Sequence, residues 1–174
     1  MITFDFEDGK GPVPAHKHRN GGGWVANTAT VADTAYVGPN ARVFGSSHVA
    51  GSAIISDKAR ISDSARVFDS AQVYDNAKVY GNAWVYGDTM VYGNALVYGD
   101  ALVYGDAMVS GNAKVYGKVR VHNENVKDRT LGGYYISPTK NNEQLAKNVD
   151  ANIEIKLYAD FIIVNGVKYI KEPT

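Results

Sequence analysis

The residues able to do chemistry are few and unevenly placed. Of the 4 histidines, His16 and His18 form an H-x-H near the start, while His48 and His122 stand alone. An H-x-H can supply two nitrogens to zinc at about 2.0–2.1 Å, but a site needs at least one more protein ligand, and none accompanies this pair. His48 lies in SSHVAG, without a neighbouring acid to orient its imidazole as a general base. The chain has no cysteine, which excludes disulfides and thiolate chemistry. It also lacks G-x-x-x-x-G-K-[ST] and G-x-S-x-G, so the phosphate-loop and nucleophile-elbow chemistries have no motif to rest on. A more suggestive set is cationic and aromatic. Arg42, Arg60 and Lys78 recur at intervals of 18, and so do Tyr80 and Tyr98. Cations interleaved with rings suit an anionic ligand that carries a ring, such as a nucleotide, or a sugar polymer.

The elements that position these residues follow from a repeat. Valine or isoleucine occupies every sixth position from Val25 to Val121 without a slip, and a small residue precedes most of them by two, as in Ala77-Lys78-Val79. A period of six fits neither a helix nor a heptad, but it is a whole number of strand alternations, so each repeat returns the same face to the same side. The β-branched residue and the small residue point inward. Two residues after most of the valines comes Gly or Asp, commonly followed by Asn, Asp or Ser, as at Gly81-Asn82 and Gly87-Asp88. Such pairs tolerate positive φ and make corners. One interior stripe per repeat cannot bury itself, so the repeats must stack.

The pattern Val/Ile–x–Gly/Asp–x–Ala–x resembles the hexapeptide repeat of left-handed parallel β-helix proteins. The resemblance implies triangular coils of three hexapeptides, a left-handed winding and a homotrimer. FEDGKGPVPAHKHRNGGGWVA is also similar to the start of phage and prophage hexapeptide proteins labelled transferases by fold. The expected architecture is all-β: a strand and capping loop over 1–24, a single-stranded parallel β-helix over 25–123, and a β-rich extension over 124–174. In the extension LGGYYIS, ANIEIKLY and DFIIVNGVKYI read as strands, with Asn165-Gly166 as a hairpin turn. NNEQLAKN reads as a short helix or a turn.

With residues 18 apart stacked at roughly 4.8 Å, the outward positions sort into three faces. The first holds Arg42, Arg60, Lys78, Tyr80 and Tyr98, which with His16 and His18 are the ligand-binding candidates. The second holds His48, Arg66, Phe68, Trp84, Tyr86 and His122. The third is uncharged and includes Ile54, Tyr74, Met90, Tyr92 and Met108, a composition expected of a self-association surface. Acyltransferases of the resembled family use a histidine base near a subunit boundary and a loop that leaves the coil. The repeat here has no insertion, and His48 is the only catalytic candidate. Four coils, roughly 19 Å, separate His48 from His122, so these two cannot share a metal within one chain.

The reading is therefore a non-catalytic homotrimeric binding or structural module, of phage origin by resemblance, with no cofactor. It would hold a small anionic, nucleotide-like or sugar-like ligand in intersubunit clefts. The alternatives are an acyl-CoA-dependent O- or N-acyltransferase using acetyl-CoA, and a virion or tail component. Lys+Arg and Asp+Glu balance at 18 each, which gives no global case for a long nucleic acid or an anionic membrane. Neither an apolar run of membrane-spanning length nor a signal-peptide pattern occurs, so the cytoplasm, or a host's cytoplasm, is the expected compartment.

Overall fold

A computed structural model describes residues 2–132 together with the strand segments 155–157, 161–164 and 167–170. The chain divides into two compact units, residues 1–134 and 135–174. Among the described residues every regular element is a strand.

The first unit is a parallel β-solenoid with three walls. An antiparallel hairpin of β1 (Thr3–Phe4) and β2 (Val13–Lys17) leads into β3 (Trp24–Ala26). From β3 the chain returns to the same wall at Arg42, Arg60, Lys78, Leu96, Lys114 and Thr130, once per turn. A second sheet stacks Thr30, His48, Arg66, Trp84, Leu102 and Arg120. A third stacks Tyr36, Ile54, Gln72, Met90, Met108 and Asn125. The register follows from the pattern, because a slip of one residue would turn every valine outward. Each coil bonds to the next through its backbone, as in Arg60 N to Ala77 O at 3.0 Å and Ser62 N to Val79 O at 3.0 Å.

The interior is a column of Val and Ile flanked by a column of Ala, and from Ala35 to Val115 its apolar members are fully buried. Thr89 and Ser47 replace alanine in that column. Their hydroxyls donate to Tyr86 O at 2.7 Å and Phe44 O at 2.8 Å, so neither leaves a buried polar group unpaired.

The corners are governed by backbone conformation. Gly81 has φ +70°, and a Cβ there would meet Gly99 N at 2.9 Å. Asp63 holds the equivalent position with φ 56°, a conformation that disfavours most side chains. Its carboxylate accepts the Gly81 N–H at 3.0 Å, and the same contact recurs from Asp69 to Gly87 and from Asp75 to Gly93. Aspartate at a left-handed corner is thus offset by a hydrogen bond to the next coil.

The solenoid runs past residue 123. Val121 pairs with Val103, but Val126 pairs with Val109 and Leu131 with Val115, so the last two steps are five residues instead of six. Asn123 and Asp128 make these shortened corners at φ 52° and 53°. They accept the backbone N–H of Asp106 and Asn112 at 2.8 and 2.7 Å.

At the other end, the Gly21–Gly23 loop closes on the first coil: Gly23 N donates to Val37 O at 2.9 Å and Val37 N to Asn20 O at 2.9 Å. A Cβ on Gly23 would lie 2.3 Å from Gly38 O, so the loop admits no side chain there.

In the second unit, strands Ile155–Leu157, Phe161–Val164 and Val167–Ile170 form an antiparallel sheet. Val164 pairs with Val167, leaving Asn165 and Gly166 between them, as the hairpin reading expects. The segment NNEQLAKN and the part of LGGYYIS beyond Gly132 lie outside the described residues.

A candidate anion groove on the first sheet

The N-terminal hairpin lies along the first sheet because its rings are anchored there. Phe6 is 1% exposed and stacks on Phe44 with centroids 5.0 Å apart. Phe4 stacks on Trp24 at 4.4 Å and meets Phe6 edge-on. Ala15 and Ala26 complete this second, smaller core. Burial of one phenylalanine is worth about 1.5–3 kcal/mol, enough to fix the hairpin's position.

That placement brings Glu7 over two guanidiniums. Arg42 donates to both carboxylate oxygens, Nη1 at 2.8 Å and Nη2 at 3.0 Å, and Arg60 Nη1 stands 3.7 Å away. Arg42 and Arg60 also donate to Phe6 O, and they lie over the Phe4 and Phe44 rings at 5.4 and 5.1 Å. The hydrogen bond and charge of Arg42 hold the Glu7 carboxyl below the usual carboxylate range. Burial pulls Arg60 below the usual arginine value, and the adjacent Arg42 charge adds to the drop. An arginine remains charged through such a shift, so two like charges persist in neighbouring strands. Glu7 itself is open to solvent, its side chain 67% exposed, so water and salt screen its ion pairs.

Beneath this clasp runs a groove of about 600 Å³ lined by Phe4, Glu7, Trp24, Pro39, Asn40, Arg42, Lys58, Arg60, Asn76 and Lys78. Four cations face one carboxylate. The corner residues Asn40 and Asn76 add amide groups, and Asn76 donates to Asn94 at 3.2 Å in a ladder along the edge.

Of the residues singled out from sequence, Arg42, Arg60 and Lys78 share this groove. Tyr80 and Tyr98 do not line it. They stack on each other at 4.9 Å, and Tyr98 stacks on Tyr116 at 5.1 Å, forming a ladder further along the first sheet. Burial pushes the Tyr80 phenol up, with Tyr98 adding to the rise, so it stays neutral well past neutral pH. His16 and His18 lie outside the groove. His16 Nδ1 contacts Asn27 Oδ1 at 2.9 Å, whereas His18 is buried, with Nδ1 on Asn20 O at 3.1 Å. Among the described residues no three of His, Cys, Asp or Glu gather in a way that could hold a metal. His48 sits exposed on the second sheet between Thr30 and Arg66. Sequence reasoning missed Glu7, Lys58, Asn40 and Asn76. The 18-residue spacing of Asn40, Lys58 and Asn76 was the available signal, but Glu7 belongs to no repeat.

The outward third sheet is uncharged down to Ser110, and Lys127 in the last coil introduces a cation beside it. Tyr74 and Tyr92 stack there at 5.0 Å, and Ile54 is 38% exposed.

The stacked parallel coils define a β-solenoid repeat protein. The family model described as the YdcK beta solenoid repeat matches residues 59–75, 71–87, 91–105 and 101–117, within the coils whose register is described above. No curated protein and no solved structure matches the chain.

Proposed function

We propose that the protein is a non-catalytic binding module that holds a small anionic ligand in the groove of the first sheet. The carrying observation is the charge of the lining, where Arg42, Lys58, Arg60 and Lys78 stand with Glu7 as the one carboxylate among the lining residues. The depressed basicity of Arg60, caused first by burial and then by the adjacent Arg42 charge, supports it, because an anion beside the two guanidiniums relieves both. The asparagine amides supply neutral donors that fit phosphate, carboxylate or sugar oxygens.

A homotrimer assembled through the third sheet belongs to the same reading. Its outward Ile54, Tyr74, Met90, Tyr92 and Met108 form an uncharged surface of the kind that associates. Anion clefts would then recur once per subunit. His48 lends an acyltransferase little support, since no described carboxylate bonds to its ring.

Calorimetric titration at low ionic strength with phosphate, carboxylate and sugar-phosphate ligands tests the reading. Binding is expected in the wild type and lost in an Arg60→Gln, Lys78→Gln double variant. Absence of binding by every ligand, or acetyl-CoA turnover abolished in His48→Ala, would sink it.

A further inference from the structure

Resting on the reading of this groove as an anion site, we infer that its ligand is a linear polyanion whose successive charged groups follow the solenoid axis. One of these groups takes the place of the Glu7 carboxylate.

The cations form a column. Arg42 pairs with Arg60 and Arg60 with Lys78, in strands that lie about 4.8 Å apart. A single small anion meets only one neighbouring pair in such a column. A chain with a negative group every few ångströms meets each cation in turn.

Glu7 shows how the first pair is satisfied, with Arg42 at 2.8 Å and Arg60 at 3.7 Å from the same carboxylate oxygen. It reaches no further. Lys78, one strand on, and Lys58 in the corner before Arg60 line the groove without an ion pair among the described residues. An anion already covers the first pair, and the next cations are open.

The rings of the groove decide against recognition through a base. Trp24 is stacked on Phe4 and has Lys17 5.6 Å from its ring centroid. Arg42 lies over Phe4, while Phe44, at the edge of the site, is held between Phe6 and Arg60. These rings are engaged by one another and by the cations. What the groove offers is a row of charge with amide donors at its side. The ligand chemistry is therefore phosphoryl, sulfate or carboxylate groups strung on a flexible chain, and both a phosphate chain and an acidic oligosaccharide supply it.

The test is calorimetric titration of the full-length protein, wild type, Glu7→Gln and Lys78→Gln, at low ionic strength. The probes are orthophosphate, tripolyphosphate, ATP, galacturonate and trigalacturonate, with circular dichroism to verify folding. The chain-form anion is expected to bind at least about tenfold tighter than its monomer, since its second group binds at high effective concentration. ATP should bind no tighter than tripolyphosphate. Glu7→Gln should tighten the chain-form ligand by roughly threefold to tenfold by removing a competing carboxylate. Lys78→Gln should erase the advantage of chain over monomer. The tighter of the two chains identifies the source. Equal affinity for monomer and chain, ATP far tighter than tripolyphosphate, or no effect of Glu7→Gln overturns the polyanion inference and leaves the anion groove standing. Failure of every probe to bind both wild type and Glu7→Gln removes the groove reading itself.

Discussion

The first and third sheets are built on the same coils and turn different chemistry outward. On the first sheet the column Trp24, Arg42, Arg60, Lys78 is cationic and is overlaid by an N-terminal hairpin. On the third the column Tyr36, Ile54, Gln72, Met90, Met108 carries no charge. Inward, the two are interchangeable: Ile61 and Ile55 are both fully buried members of one core. In this fold the interior residues therefore specify the coil, and the outward residues are free to differ from wall to wall.

The interchangeability can be broken most sharply from inside. Ile61→Ala and Ile55→Ala should each cost about 2–5 kcal/mol in denaturant unfolding, with equal values within error. A large gap between them would mean that one wall carries more of the core than its neighbours.

The outward difference should appear in assembly. Met90→Lys is expected to convert the proposed trimer to monomer in light scattering, because it buries an unpaired ammonium in the contact. Lys78→Met on the first sheet should leave the mass unchanged. The opposite pattern would move the interface to the cationic wall.

The smallest effect concerns acid. The Glu7 carboxyl is depressed by Arg42, so its contribution to holding the hairpin is present above the ordinary glutamate value of 4.5 and is lost as the pH falls through the lowered value. Trp24 fluorescence, read in a Trp84→Phe background, should change in that window. Arg42→Gln should abolish the change. A transition that persists in Arg42→Gln would assign it to another group.

Much of the coil is legible in the sequence because its interactions are local and repeated. The inward valine, the alanine two residues earlier and the Gly or Asp corner each answer to one steric demand met every six residues. Arg42, Arg60 and Lys78 could be grouped from their spacing once the resemblance implied three hexapeptides per coil, since the stacking of coils turns that spacing into adjacency. Val126 and Leu131 were harder to place, because the last two corners drop a residue and the hexad count fails while the sheets continue. Glu7 was illegible for a different reason. It lies 35 residues from Arg42 in a segment outside the repeat, and the packing of Phe6 on Phe44 and of Phe4 on Trp24 carries it to the groove.

The sequence by itself determined the stacked repeat and its corners, because a period of six returns every valine to the same side, and the three-hexad coil that the resemblance implies sorted the outward residues onto three walls. Tertiary structure alone decided which of the candidate residues meet. It placed the hairpin over Arg42 and Arg60, left Tyr80, Tyr98, His16 and His18 outside the groove, and set one carboxylate against four cations. Those outcomes depend on ring packing between distant segments, which no local spacing encodes.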